Sequence, residues 1–377
     1  MRVISFTANL WGLLLCVACI SVNRPAESGG PIQLSSLEVP AGFQIDLYAE
    51  GVANARAMCW GAQGTLFVGS RSAGKVYALR DEDGDQQAEV RHVIAEGLDQ
   101  PLGVAFHQGT LFISDLDKIF RLADIESRLT DPPSLELVTD DLPADRWHGG
   151  KYLGVGPDEK LYVAVGAPCN ICERDYEEYM HIRRMNLDGS GGEVYAKGIR
   201  NSVGFSWHPT TGELWFTDNG RDFLGDDLPP DELNRVEEAG QHFGYPYCHA
   251  GVHPDPKFGT KYPCADFQAP VQALHPHGAA LGLSFYQGNM FPAAYKQRVF
   301  IAEHGSWNRS EPIGYQVSQV TLEGGQAISY EPFVRGWLAD GKAWGRPVDV
   351  LEAPDGSLLI SDDQAGVIYR VWYKGSL

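Results

Sequence analysis

One histidine, a set of arginines and a tryptophan stand in this chain where they can do chemistry together. His148, Arg71, the Arg200–Asn201 pair, the run His304 to Arg309 with Trp307 inside it, and Arg346 each fall just before or just after an apolar, strand-like segment. An imidazole moves protons near neutral pH. Guanidinium groups hold carboxylates in bidentate pairs. Gathered at one point, these residues make an anion site with a base beside it. Scattered over separate loops they are ordinary surface arginines, and a histidine taken alone is more often structural than catalytic. The elements that carry them decide between the two.

Two acidic constellations add a cation to the chemistry. Asp81, Asp83 and Asp85 surround Gly84 at the first, third and fifth positions of a turn, as in loops for hard cations, but position 92, where a bidentate Glu is needed, is His. A hairpin turn without calcium is an equal reading. The stretch from Asn219 through Gly220, Arg221 and Asp222 to Asp231 and Glu232 offers more oxygens, and is the better calcium candidate. Cys248 and Cys264 share a Pro/Gly-rich loop and can form a disulfide. Cys169 and Cys172 read as a small structural disulfide, a redox pair or half a metal site. No second CxxC or His pair follows at zinc spacing, and Glu173 stands where haem attachment needs His. Cys59 reads as a buried free thiol.

The elements come next. The first residues read as an address: Met1-Arg2 is positive, and the apolar stretch Leu10 to Ile20 is too short to span a bilayer. Leu15 to Cys19 is similar to a bacterial lipoprotein cleavage site, with a plain cleaved signal as the alternative. The expected organisation is a signal peptide over 1–18, a flexible tether over 19–38 and a catalytic domain over 39–377. The expected location is periplasmic or on the outer membrane, with membrane contact only through the lipid anchor. Thirty Lys and Arg against 49 Asp and Glu give a net charge of −19, which opposes nucleic-acid binding. The 43 Gly and 23 Pro call for many turns.

One phrase recurs: an apolar strand, a polar turn with Gly, and a second apolar strand. It runs from Met58 to Gly69, Gly103 to Ser114, Leu153 to Ala164, Gly204 to Thr217, Gly282 to Ala302 in stretched form, and Val348 to Ser361. A third strand follows most copies, as in Lys75 to Leu79 or Val367 to Val371. The spacings match blades of roughly 40–50 residues, with insertions in the fourth and fifth. The predicted fold is all-β, a six-bladed β-propeller of four-stranded antiparallel blades. Phe43 to Ala49 is the expected closing strand of the last blade. In such a ring the candidate residues converge on the axis.

At this point the motifs resemble a family. Trp147-His148-Gly149-Gly150 through Gly166, Gly198 to Gly204, Asp231 to Asn234, Phe243 to Pro246, Glu303 to Arg309 and Gly345 to Val350 resemble the soluble PQQ-dependent sugar dehydrogenases, closest to the glucose/sorbosone and aldose dehydrogenase branch. The likeness runs from about residue 40 to 372. It implies pyrroloquinoline quinone (PQQ), a flat tri-acid with an ortho-quinone, lying over the channel mouth beside calcium. On this resemblance His148 is the general base, and Arg200 and Asn201 contact the cofactor, with Arg200 near its reactive carbonyl. Arg346 binds a cofactor carboxylate, Arg71 and Trp307 belong to the cofactor site, and Gly220 and Arg221 give backbone carbonyls to calcium. Val203 stands where the glucose enzyme has Gln, and Arg221 where Pro is usual.

The resemblance implies a quinoprotein that oxidises an aldose, or a related sugar aldehyde or alcohol. Hydride passes to the quinone, and electrons leave to a quinone pool or a separate cytochrome. A calcium-dependent lactonase or esterase propeller is the alternative, and would need carboxylates rather than arginines on the axis. A non-catalytic binding propeller is the third reading.

Overall fold

A computed structural model describes residues 31–375, so the expected signal peptide and Cys19 lie outside the described residues. Six four-stranded antiparallel sheets stand in a ring, each built from strands in chain order except the last; in the fourth a small hairpin intervenes before the outermost strand. Blade 1 holds Ala55–Trp60, Leu66–Ser70, Lys75–Arg80 and Val90–Glu96. Blade 2 holds Val104–His107, Thr110–Ser114, Ile119–Leu122 and Glu136–Thr139; blade 3 holds Leu153–Val155, Leu161–Val165, His181–Met185 and Glu193–Lys197. Blade 4 holds Phe205–Trp207, Leu214–Asp218, Pro230–Val236 and Gln272–Pro276, and blade 5 holds Ala280–Phe285, Val299–Glu303, Gln316–Glu323 and Gln326–Arg335. In blade 6, Pro347–Glu352, Leu358–Asp362 and Val367–Tyr373 are joined by Phe43–Ala49 from the other end of the chain. The predicted six-bladed propeller and its closing strand are what the chain forms.

The second strand of a blade has sheets packed on both faces, so it has no polar side to show. Leu66–Ser70, Leu161–Val165, Leu214–Asp218, Val299–Glu303 and Leu358–Asp362 are buried at every position. That is why each opens on at least three apolar residues without alternation, while the buried polar residues that follow, such as Asp218, Glu303 and Asp362, stand at the end nearest the cup. Adjacent inner strands approach so closely that a side chain at Gly103 would strike the backbone of Lys151, and one at Gly204 the backbone of Leu281. Below the mouth, Ala57, Leu102, Val104, Val203, Leu281 and Val348 pack into one apolar cluster, with Tyr152 against it, drawing on all six blades. The channel is therefore plugged, and its upper end is a closed cup.

Phe43 anchors the closing strand by edge-on contacts with Phe291, Tyr295, Phe333 and Tyr373. The end of the expected tether is docked: Leu34–Ser36 forms a short 3-10 turn, Leu37 is buried, and Glu38 bridges to Arg335. Cys169–Cys172 and Cys248–Cys264 are disulfides, and Cys59 is free. The second disulfide closes the blade 4 insertion, which also carries a small hairpin of Cys248–His249 with His253–Pro254. Asp81, Asp83 and Asp85 are joined by Glu89, not by position 92, in an exposed turn between two strands of blade 1. Asp81 accepts the amides of Gly84 and Gln86 in that turn.

Candidate active site

Blades 1 to 5 contribute to the cup, from the start of or just before the inner strand and, in blades 1, 4 and 5, also from the segment after the second strand. Together they line a cavity of about 260 Å³ that includes Arg56, Arg71, His148, Arg200, Asn201 and Gly220. The floor is apolar, made by Leu102, Val203, Ala279 and Leu281. Val203, where the resemblance leads one to expect a polar contact, belongs to this floor.

His148 precedes the inner strand of blade 3, in a left-handed backbone conformation (φ 52°). Its Nδ1 lies 2.8 Å from the carbonyl oxygen of Ala167. A carbonyl only accepts, so Nδ1 carries the hydrogen and Nε2 keeps its lone pair. Burial, and then the charge of Arg200, hold the imidazole well below its usual pKa of about 6.5. It is a neutral base at neutral pH. Gly166, just after the second strand of blade 3, makes room for it: a Cβ there would lie 2.6 Å from the His148 Cβ.

Arg200 and Asn201 precede the inner strand of blade 4. Asp218 fixes that turn by accepting the Arg200 amide at 2.8 Å and the Asn201 amide at 2.6 Å. Burial pushes Asp218 above the ordinary carboxylate range. The Arg200 guanidinium is buried, with Nε on the Asn170 carbonyl at 2.9 Å and Nη1 on that of Asn219 at 3.1 Å. Its Nη2 reaches the Asn170 Oδ1 at 2.9 Å and Asp222 at 3.0 Å. Gly220 follows the second strand of blade 4, and its amide donates to Asp231 at 2.8 Å.

Blades 1, 5 and 6 meet in a network that the sequence did not single out. Asp363 binds Arg56 at 2.7 Å and His304 at 2.8 Å. Burial opposes ionisation of Asp363, but His304 and Arg56 outweigh it and hold its carboxyl well below the ordinary range. Burial takes His304 down to about 4. Arg71 stands beside Arg56 with a 3.3 Å bond to Gln100. Burial, and then the like charge of Arg56, lower its pKa. Two neighbouring guanidinium groups facing one cavity are the arrangement an anion relieves.

Two expected residues do not join the lining. The Arg346 guanidinium donates to the carbonyls of His304 and Gly305 at 2.9 and 2.8 Å and lies over the Tyr315 ring, so it supports the His304 loop from outside the cavity. The Arg221 side chain turns to Asp255 at 2.6 Å, toward the blade 4 insertion. Trp307 does line the cup; it is 66% exposed and meets Phe223 edge-on. Beside the base, Trp147 is also exposed. Asn170 and His277 were missed as well, and Asp222 and Asn308, which belong to stretches the sequence did mark, meet each other here. His277 Nε2 donates to the Gly225 and Leu228 carbonyls, and Asn308 binds Asp222, so both tie down the loop that follows Gly220.

The sequence model of the TrAA12-like family matches residues 37–374. This chain belongs to that family. The TrAA12-like chain is 34% identical over 357 residues to an uncharacterized protein of Borreliella burgdorferi, covering 90% of this chain and 92% of that one. It is 25% identical over 248 residues to quinoprotein glucose dehydrogenase B of Acinetobacter calcoaceticus, covering 50% of this chain and about half (49%) of that protein. The PQQ domain of pyranose dehydrogenase from Coprinopsis cinerea, in its holo form, has the same fold, with a TM-score of 0.77, 19% identity and coverage of 89% and 97%.

The lining of this TrAA12-like cup fits a flat tri-acid. Arg56 Nε is a buried donor without a partner among the described residues, and the Arg71 guanidinium has donors to spare, as carboxylates require. Asn308 Oδ1, a buried acceptor without a partner among the described residues, suits a cation or a hydroxyl instead. The floor is apolar. The Gly220 and Arg221 carbonyls accept no hydrogen bond among the described residues, which suits a hard cation.

Proposed function

We propose that this chain is a PQQ-dependent sugar dehydrogenase that oxidises an aldose at its anomeric carbon, with His148 as the general base. The observation that carries the reading is the tautomer of His148: Nδ1–H is committed to the Ala167 carbonyl, so Nε2 is the atom free to take a proton. When bound, PQQ supplies a two-electron acceptor that receives the hydride of the sugar. The residues of the chain do the rest. Arg56 and Arg71 would hold the PQQ carboxylates, Leu102, Val203 and Leu281 would seat the ring, and the carbonyls of Gly220 and Arg221 would hold calcium. Nε2 of His148 accepts the anomeric hydroxyl proton, and burial keeps it neutral until then. Trp307 offers an exposed ring to the sugar, and a cyclic aldose leaves as a lactone. Electrons pass on to a quinone or a separate cytochrome.

A lactonase reading needs side-chain carboxylates converging on an axial cation; the two that line the cup are engaged, Asp222 by Arg200 and Asp231 by the amides of Gly220 and Ala280, and three arginines stand with them. The test is reconstitution: purified apoprotein is given PQQ and calcium, then assayed for dye reduction with a panel of aldoses. Activity is expected, abolished by EGTA added before reconstitution, and lowered about 10²–10⁴-fold in His148→Ala. No dye reduction with any aldose, or full activity in His148→Ala, overturns the proposal.

A further inference from the structure

We infer that Asn170, clamped between the disulfide-linked Cys169 and Cys172, is the positioning residue for Arg200. The inference rests on the dehydrogenase reading above and on the cofactor contact that the family resemblance gives Arg200, which lines the cup. Asn170 gives that guanidinium two acceptors at once: its peptide oxygen takes Nε and its side-chain oxygen takes Nη2, each at 2.9 Å. This is the geometry by which a carboxylate grips an arginine, made here from a neutral residue. The same Oδ1 accepts the Asp222 amide at 2.8 Å, and the Asn170 Nδ2 donates to the Asp222 carbonyl at 3.2 Å. Asp222 in turn supplies the carboxylate at Nη2. One asparagine therefore aligns both the arginine and its counter-ion.

Nothing in a loop holds such a residue unless the loop itself is held. Cys169 and Cys172 are covalently joined around it. The Tyr245 hydroxyl donates to the Asn170 carbonyl at 3.2 Å and accepts the Cys172 amide at 3.1 Å, closing the loop from the other side. The choice of a neutral residue has a consequence. Arg200 faces one carboxylate, Asp222, and the charge of Arg200 is among the causes that keep His148 unprotonated. A carboxylate at 170 would leave the group with a net negative charge.

Three variants test this: Asn170→Ala, Asn170→Asp and the double Cys169→Ser, Cys172→Ser. Loss of a side-chain bond to a charged partner predicts that Asn170→Ala raises the PQQ Kd about 10-fold, read by quenching of tryptophan fluorescence in the apoprotein. It lowers kcat about 10–100-fold with the sugar KM within about twofold, because the sugar is not what Asn170 arranges. Asn170→Asp moves the acid limb of the pH profile upward, as His148 loses the uncompensated field of Arg200. The double serine variant follows Asn170→Ala in direction. In the apoprotein the Arg200 Nη2–H, held by the Asn170 side-chain oxygen, gives a protected ¹⁵N signal that becomes fast-exchanging in Asn170→Ala, where the peptide oxygen on Nε remains. Unchanged PQQ affinity and unchanged Nη2–H protection in Asn170→Ala overturn the inference, whatever happens to Tm. If wild-type protein reduces no dye, the dehydrogenase reading fails, and the Nη2–H signal still decides the role of Asn170.

Discussion

Replacing Gly166 by alanine adds one methyl group at the back of the proposed base. The new Cβ would stand 2.6 Å from the His148 Cβ and 3.3 Å from the Asn201 Oδ1. Carbon atoms in contact sit about 3.5–4.0 Å apart. His148 must then retreat by about 1 Å, or the segment carrying Ala167 must move and take with it the carbonyl that fixes the tautomer. A misplacement of about 1 Å costs roughly 10²-fold in rate, which is about 2.7 kcal/mol of barrier at 1.36 kcal/mol per decade. The arginines that hold the cofactor stand on other blades, so the PQQ Kd is expected to stay within a few-fold of wild type. The assay is steady-state dye reduction by the reconstituted enzyme, with PQQ titration and thermal unfolding beside it. A Gly166→Ala enzyme that unfolds at the wild-type Tm and keeps its kcat within about threefold refutes the argument that His148 works from a sterically fixed position.

Three further outcomes follow from the same geometry. Because burial and Arg200 depress the pKa of His148, the neutral base is present from below pH 6.5 upward; the acid limb of kcat/KM is expected below that pH, and a limb centred above 7 rules His148 out as the base. Arg71→Ala removes the guanidinium with donors to spare and is expected to weaken PQQ binding about 10–100-fold, the worth of one or two charge-assisted hydrogen bonds; unchanged affinity in a fluorescence titration places the anion elsewhere. Asp349 is buried and accepts the amides of Met58 and Val350, and burial raises its pKa to about 7. A raised carboxyl binds its proton in the folded state first, so its contribution to stability is full below the ordinary value of 3.8, is still partly present at pH 5 and is gone once the pH has risen through 7. Asp349→Asn should therefore compare better with wild type at pH 8 than at pH 5 in thermal unfolding, and the reverse order contradicts the sign.

The ring was legible because each blade repeats one local solution: an apolar strand, a polar turn that mostly carries Gly, and a second strand that carries three apolar residues in a row and is buried on both faces. Leu66–Ser70 and Val299–Glu303 carry that signature without reference to the rest of the chain. His148, Arg71, Arg200, Asn201, Trp307 and Gly220 could be placed on the cup because they flank such strands. Arg56 and Asp363 could not. They come from the first and last blades, 307 residues apart, and meet through closure of the ring. Arg346 shows the opposite failure: its position is right, but a residue type does not say whether a guanidinium faces an anion or two backbone carbonyls. Asn170 was hidden by its neighbours, since a CxxC motif draws attention to the sulfurs and away from the amide between them.

A chain with net charge −19 that builds a cationic cup must keep its acids from cancelling it. Distance takes care of the surface carboxylates, whose fields are screened over about 8 Å at physiological salt. Of those near the hub, Asp363 and Asp222 are paired with Arg56 and Arg200, and others are handled by burial. Asp231 is raised to about 6, Asp349 to about 7 and Asp362 to about 6, chiefly by desolvation. Their partners are backbone amides: Gly220 and Ala280 for Asp231, Met58 and Val350 for Asp349, Gln364 and Ala365 for Asp362. An acid placed this way shapes the turns that present Gly220 and the inner strands while carrying less than a full charge near neutral pH. Arginines lose nothing comparable, because a guanidinium stays protonated through this range. The same burial that makes the scaffold rigid thus tips the electrostatic balance of the cup toward the cations, and leaves His148 as the group there suited to taking up a proton.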